Sequence, residues 1–136
     1  MTVTGFDGYL DPLDEAECRR LLAAQSVARI GFVHEGRVLV LPVGIVTDGE
    51  VVVFTTSPRS ALAGLAQGAD VALQLDDYDP GFLDGWSVLV EGRTFPYEGS
   101  SRPERWARGH DAVAIGVRPT RISGRTMAAP LTLEDM

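Results

Sequence analysis

Residues 37–65, RVLVLPVGIVTDGEVVVFTTSPRSALAGL, constrain the fold of this chain more than any other stretch. Two apolar, β-branched runs, residues 38–46 and 51–54, flank an Asp48-Gly49 pair. Such runs suit strands of a barrel or a buried sheet. Asp-Gly suits a tight hairpin, because both residues tolerate the positive φ that the turn needs. The second run ends in Thr55-Thr56-Ser57-Pro58-Arg59-Ser60, just before the apolar residues 61–65 of a short helix that ends near Gln67-Gly68. Hydroxyls, a guanidinium and the amides of a helix start would then meet at one point, which is where an anion or phosphate is readily held. A capping Ser60 and a strand-ending Thr56 explain the same residues without any ligand. The chemistry alone leaves both readings open.

The rest of the chain reads as strands with a few short helices. Residues 1–12 form a turn-rich arm, and 13–25 a first helix capped by Asp14, with Glu17 three positions on. Residues 26–34 form a strand that turns at Glu35-Gly36 into Arg37. Residues 69–76 form the next strand, and 76–81, DDYDPG, an acidic loop. A long strand at 85–95 and a surface helix at 100–109 follow. That helix would carry Trp106 among Arg102, Arg105 and Arg108. Residues 112–117 and 120–125 make two strands, or one bent at Pro119, before an extended or loose tail at 127–136. About six strands close in sequence make the chain mainly β, a small and predominantly antiparallel barrel in one domain over residues 1–136. Period alone does not separate a barrel from a sandwich.

Bulk chemistry removes several functions. The net charge is −7, which disfavours a nucleic-acid partner. All 12 basic residues are Arg, so a Schiff-base lysine is absent. Cys18 is the single cysteine and reads as a structural thiol in the first helix. No signal-peptide pattern opens the chain and no apolar run reaches membrane-spanning length, so a cytoplasmic protein without a membrane partner is expected. His34 and His110 lack metal-ligand spacing, and DDYDPG lacks the ligand spacing of a calcium loop. No nucleophile elbow, P-loop or dinucleotide fingerprint is present, and no catalytic residue stands out. Any chemistry would belong to a cofactor that the protein positions. Trp86 follows Asp84-Gly85 and faces either a cleft or a core or dimer interface.

The ordered set LDEAECRRLLAAQSVARIGFV, RVLVLPVGIV–DG–EVVVFTT, SALAGL, GWSVLVEGR and VRPTRISGR resembles the pyridoxamine 5′-phosphate oxidase-like, FMN-binding split-barrel family. The resemblance covers about residues 13–125. It implies a six-stranded antiparallel split barrel that pairs into a homodimer, with two flavin sites at the interface. It matches Thr56 and Ser60 to the family's phosphate-binding Thr and Ser, with Thr55, Ser57 and Ala61 beside them. Arg37 matches a family Arg on the preceding strand; Pro42, Val43, Gly44 and Ile45 would run along the isoalloxazine ring, and Trp86 and Ser87 would reach it. Three departures bear on the activity. Ser60-Ala61 replaces the Ser-Lys of many relatives, which leaves Arg59 as the available cation. Gly44-Ile45 replaces Asn-Tyr, and the substrate-binding Arg/His pattern of vitamin B6 oxidation is not apparent. The resemblance therefore implies an FMN-dependent oxidoreductase acting on a small organic substrate, with the deazaflavin F420 as alternative cofactor. A non-catalytic flavin or haem binding or storage protein, and a split-barrel dimer that has lost its cofactor, are the other readings.

Overall fold

Two hairpins lay down the centre of the molecule. Strand β2 (Val27–His34) turns into β3 (Arg37–Asp48) through Glu35 and Gly36, whose φ values of 52° and 75° are both left-handed. That is the twist-compatible two-residue turn, and it sets the register from Val27↔Gly44 to His34↔Arg37. Between β3 and β4 (Val51–Thr56) the turn residues are Gly49 and Glu50, because Asp48 pairs with Val51. The expected Asp48-Gly49 centre is thus displaced by one position. Gly49 alone has positive φ, 60°, and a turn with its first central residue left-handed needs only that one glycine.

The computed structural model describes residues 9–81, 84–104 and 111–128. Along the chain come β1 (Tyr9–Pro12), α1 (Glu15–Ala23), β2, β3, β4, a 3-10 helix (Ala61–Gln67), β5 (Asp70–Asp79), β6 (Asp84–Pro96) and β7 (Val113–Ala128). The strands lie in the order β1-β7-β4-β3-β2-β5-β6, all antiparallel, and β6 also pairs with β7. That last pairing closes six of the seven strands into a ring, a mainly β antiparallel split barrel. β1 adds to the end of β7, so the expected N-terminal arm carries a strand in its last residues. Residues 1–8 and 129–136 lie outside the described residues. Met127 and Ala128, expected in an extended or loose tail, are extended and belong to β7.

Two other expectations change, and the open alternative of one strand bent near Pro119 is the one observed. Residues 76–79 are strand, because Asp76 to Asp79 pair with Ser87 to Asp84; an intact ladder overrides the low strand preference of Asp. Residues 113–128 form one strand, and Gly92 pairs with Pro119 while Glu91 pairs with Arg121. Thr120 is the extra residue of that bulge and its hydroxyl donates to the Glu91 carbonyl at 3.1 Å. Residues 101–104 form no helix, and 105–110, with Trp106 and His110, lie outside the described residues.

The core fills the ring with Ile30, Phe54, Leu73, Leu75, Val88, Val90, Ile115 and Val117. α1 covers one side through Cys18 and Leu22. Asp14 caps it by accepting the Glu17 N–H at 2.8 Å. Glu17 does not complete a capping box; its carboxylate pairs with Arg20, whose hydrogen bond holds the Glu17 carboxyl below its ordinary range. The helix lies close to β7 at Gly124, where an added Cβ would sit 2.7 Å from Cys18 Sγ. Burial, followed by the charges of Asp14, Glu17 and Glu15, raises the pKa of the Cys18 thiol, which suits a packed and unreactive group.

Candidate functional site

β3 changes partner half-way along its length. Its pairing with β4 ends at Ile45↔Phe54, whereas its pairing with β2 runs from Gly44 to Arg37. Beyond Phe54, β4 keeps β7 instead, through Thr55↔Ala114 and Thr56↔Val113. The barrel is therefore split between Pro42–Gly44 on one side and Thr55–Thr56 on the other. Ile45 N–H donates to Ser26 O at 3.0 Å, so antiparallel alternation turns the backbone groups of Val38, Val40, Pro42 and Gly44 to the edge facing away from β2. Pro42 has no N–H to leave unpaired on that edge. The same partner change corrects the reading of residues 38–46 as buried. Val38 is 76% and Val40 60% exposed, while Val43 and Ile45 are in the core.

At the far lip, Thr56 Oγ1 and Ser60 Oγ share a hydrogen bond. Ser60 Oγ also accepts the Leu62 N–H at 3.1 Å and caps the 3-10 helix, which ends at Gln67, near the expected end at Gln67-Gly68. Two hydroxyls bring two protons, and their mutual bond uses one. One O–H donor remains at a junction where Thr56 is only 5% exposed and Ser60 half-buried. The expected cluster of free helix amides is not there. Arg59 N–H is taken by Ser57 Oγ, Ser60 N–H by Ser57 O, Leu62 N–H by Ser60 Oγ and Ala63 N–H by Ser60 O. The entry turn and the seven-residue 3-10 helix consume these four donors and leave the Ala61 N–H. Arg59 is exposed, with no ion pair or side-chain hydrogen bond to any described residue, and Ala61 packs on the core. Thr55 is buried and Ser57 half-buried.

The remaining candidates lie elsewhere in the same chain. Arg37 sits at the β2–β3 tip opposite His34, seven residues or roughly 23 Å of strand from Gly44. Ser87 pairs with Arg125 and Thr56 with Val113, so the two are separated by twelve residues of β7 (113 to 125), up to about 40 Å. Ser87 Oγ accepts from Gln74 Nε2 at 3.3 Å, and Trp86 is half-buried against the core. One chain thus joins Pro42, Val43, Gly44, Thr55, Thr56, Ser57, Arg59 and Ser60 around the split, and keeps Arg37, Trp86 and Ser87 away from it.

The family model described as pyridoxamine 5′-phosphate oxidase matches residues 14–126. The chain belongs to this family. Within the pyridoxamine 5′-phosphate oxidase family it is 35% identical over 101 residues to an uncharacterised protein of Mycobacterium tuberculosis, a match over 71% of this chain and 64% of the relative's length. The FAD-binding protein of Mycobacterium smegmatis is a structural neighbour at 26% identity and a TM-score of 0.69, over 87% of this chain and 98% of its own. The FAD- and haem-binding protein of the same organism shares the fold at 16% identity and a TM-score of 0.71, over 92% and 78%. Among the described residues no helix is long and apolar enough to cross a membrane.

The acidic run on β5 carries a site feature that the sequence reading passed over. Read as a loop, residues 76–79 had no facing partners; as strand, they place Asp79 opposite Asp84 and Asp77 opposite Trp86. The alternation of Asp77, Asp79, Asp84 and Trp86 was the available signal.

Proposed function

We propose that this chain binds a flavin nucleotide with its phosphate at the Thr56–Ser60 junction and its ring along Val43 and Gly44, working as a pair of chains. The observation that carries the reading is the hydroxyl pair with one uncommitted O–H at the mouth of the split. The donor set fits such a group: a hydroxyl donor, a free guanidinium on Arg59 for the phosphate charge, and a backbone edge at Gly44 for a planar polar ring. FMN is the smallest nucleotide that uses both ends. FAD, which the M. smegmatis neighbour binds, shares phosphate and ring with it, and F420 is the third candidate.

A second chain supplies what one chain keeps apart. Val33, Val38 and Val40 are 65%, 76% and 60% exposed on the outer side of the β2–β3 hairpin, an apolar face that pairing would cover. Arg37, Trp86 and Ser87 join the split only from that partner. When bound, the flavin would accept or donate a hydride with a small organic substrate. The chain's own residues hold the phosphate, wall the ring and exclude water.

A carrier or sensor is the second reading. It is favoured by the absence of any ionisable side chain among Pro42, Val43, Gly44, Thr55 and Thr56, so the lips themselves offer no general acid or base. Absorption spectra of the purified protein, titration with FMN, FAD and F420, and turnover of the reduced cofactor with electron acceptors test both. Tight binding with turnover supports the oxidoreductase, and tight binding without turnover supports the carrier. No binding removes the flavin reading.

A further inference from the structure

The far end of β5–β6–β7 holds a concavity of about 580 Å³, lined by Asp77, Tyr78, Asp79, Pro80, Asp84, Gly85, Trp86, Thr126 and Met127. Its size is that of a small-molecule site. Asp77, Trp86 and Thr126 form one cross-strand row, and Asp79 faces Asp84 in the next, so the carboxylates and the indole share a face. Three observations say what it accepts. First, the described lining residues include three carboxylates and no basic residue. Second, Asp77 and Asp84 make no ion pair or side-chain hydrogen bond with any described residue, and the Trp86 indole N–H has no acceptor among them. Third, no group of His, Cys, Asp or Glu among the described residues is placed to hold a metal ion. The acids therefore lie around an aromatic-walled cleft and not around an ion-sized nest.

We propose that this cleft binds a small aromatic ammonium ion, its ring against Trp86 and its charge among Asp77, Asp79 and Asp84. An organic cation gains from the indole face and from the carboxylates together, whereas an anion is repelled by the same wall. Neutral aromatics keep only the apolar contact. Binding needs neither flavin nor a second chain. The role of this ion as the substrate presented to the ring rests on the function proposed above, since only pairing carries Trp86 to the split.

The test is fluorescence titration of W106F, in which Trp86 is the only tryptophan, at neutral pH and low salt. The three probes are benzylamine, benzyl alcohol and benzoate. The proposal expects saturable binding of benzylamine, at least tenfold tighter than the alcohol, with no binding of benzoate. In D77N/D84N the preference for benzylamine falls at least tenfold. Should that variant fail to fold, raising NaCl to about 0.5 M in W106F takes its place, and benzylamine must weaken severalfold while benzyl alcohol does not. Equal affinity for the three probes, a non-saturating response, or a benzylamine preference unaffected by both perturbations overturns the proposal. None of these results depends on whether FMN binds, so the two readings fail separately.

Discussion

Replacing Ser60 by alanine removes two interactions at once, and they can be separated. Ser60 Oγ accepts the Leu62 N–H at 3.1 Å, a cap whose loss costs about 0.5–2 kcal/mol. It also bonds Thr56 Oγ1, and a buried hydroxyl left without its partner costs about 1–3 kcal/mol. The two losses share one atom, so a total near 2 kcal/mol is expected, or roughly 5–8 °C in Tm for a chain of this size. Thr56→Val keeps the cap, removes the hydroxyl pair and leaves no unsatisfied group on Val. It should therefore cost less stability than Ser60→Ala, about 1 kcal/mol. For FMN the order changes. Either substitution leaves one O–H at the junction but removes the mutual bond that aims it, so each should weaken binding roughly tenfold. Only the Thr56→Val/Ser60→Ala double variant removes the donor itself, worth about 1.5–3 kcal/mol or roughly 10- to 150-fold. Urea unfolding gives the first pair of numbers and flavin-fluorescence titration the second. Ser60→Ala with wild-type FMN affinity would refute the phosphate assignment, and Ser60→Ala with wild-type stability would refute the cap.

Arg59→Ala should leave unfolding unchanged within about 0.5 kcal/mol, since the side chain is exposed, but weaken FMN roughly tenfold at low salt. The effect should shrink at about 0.5 M salt, where the Debye length falls to roughly 4 Å. Gly124→Ala brings a Cβ within 2.7 Å of Cys18 Sγ and 2.9 Å of Ser87 O, so urea unfolding should show a loss of about 1–3 kcal/mol. Cys18→Ala should restore part of it in a double-mutant cycle. Because the folded Cys18 thiol has a pKa above its ordinary 9.0, its contribution is fully present below that value and is lost as pH rises through the folded pKa. Comparing wild type with Cys18→Ala from pH 7 upward, the stability difference should move against wild type above about pH 9. Val38→Asp with Val40→Asp should convert a pair of chains to single chains by sedimentation while leaving each chain folded, because both side chains are exposed.

Much of the fold could be read locally. Asp14, three residues before Glu17, and Ser60, two before Leu62, cap helices through contacts of short range, and both functions are visible in the sequence. The β2–β3 turn at Glu35-Gly36 is likewise local. What escaped depends on strands far apart in the chain. β1 is a strand because β7 offers its edge more than a hundred residues on, and Asp76 to Asp79 are strand because β6 faces them. The split is the clearest case. Val38 and Val46 look alike in sequence, yet Val38 is on an arm paired only with β2 and Val46 pairs only with β4. No local pattern marks the residue at which β3 changes partner. The site follows the same rule. Thr56 and Ser60, four residues apart, were legible as a unit, whereas Arg37, Trp86 and Ser87 came from resemblance, and the register shows them remote from that unit in one chain.

The central claim is that the Thr56–Ser60 junction holds a phosphate, and the ratio of FMN to riboflavin affinity measures that directly. The two ligands share the ring and differ in the phosphate. The account predicts that wild-type protein binds FMN at least about 100-fold more tightly than riboflavin, a difference of about 2.7 kcal/mol, with the ratio falling towards unity in the Thr56→Val/Ser60→Ala double variant. Equal affinities in wild type, or a ratio that the double variant leaves intact, would contradict it.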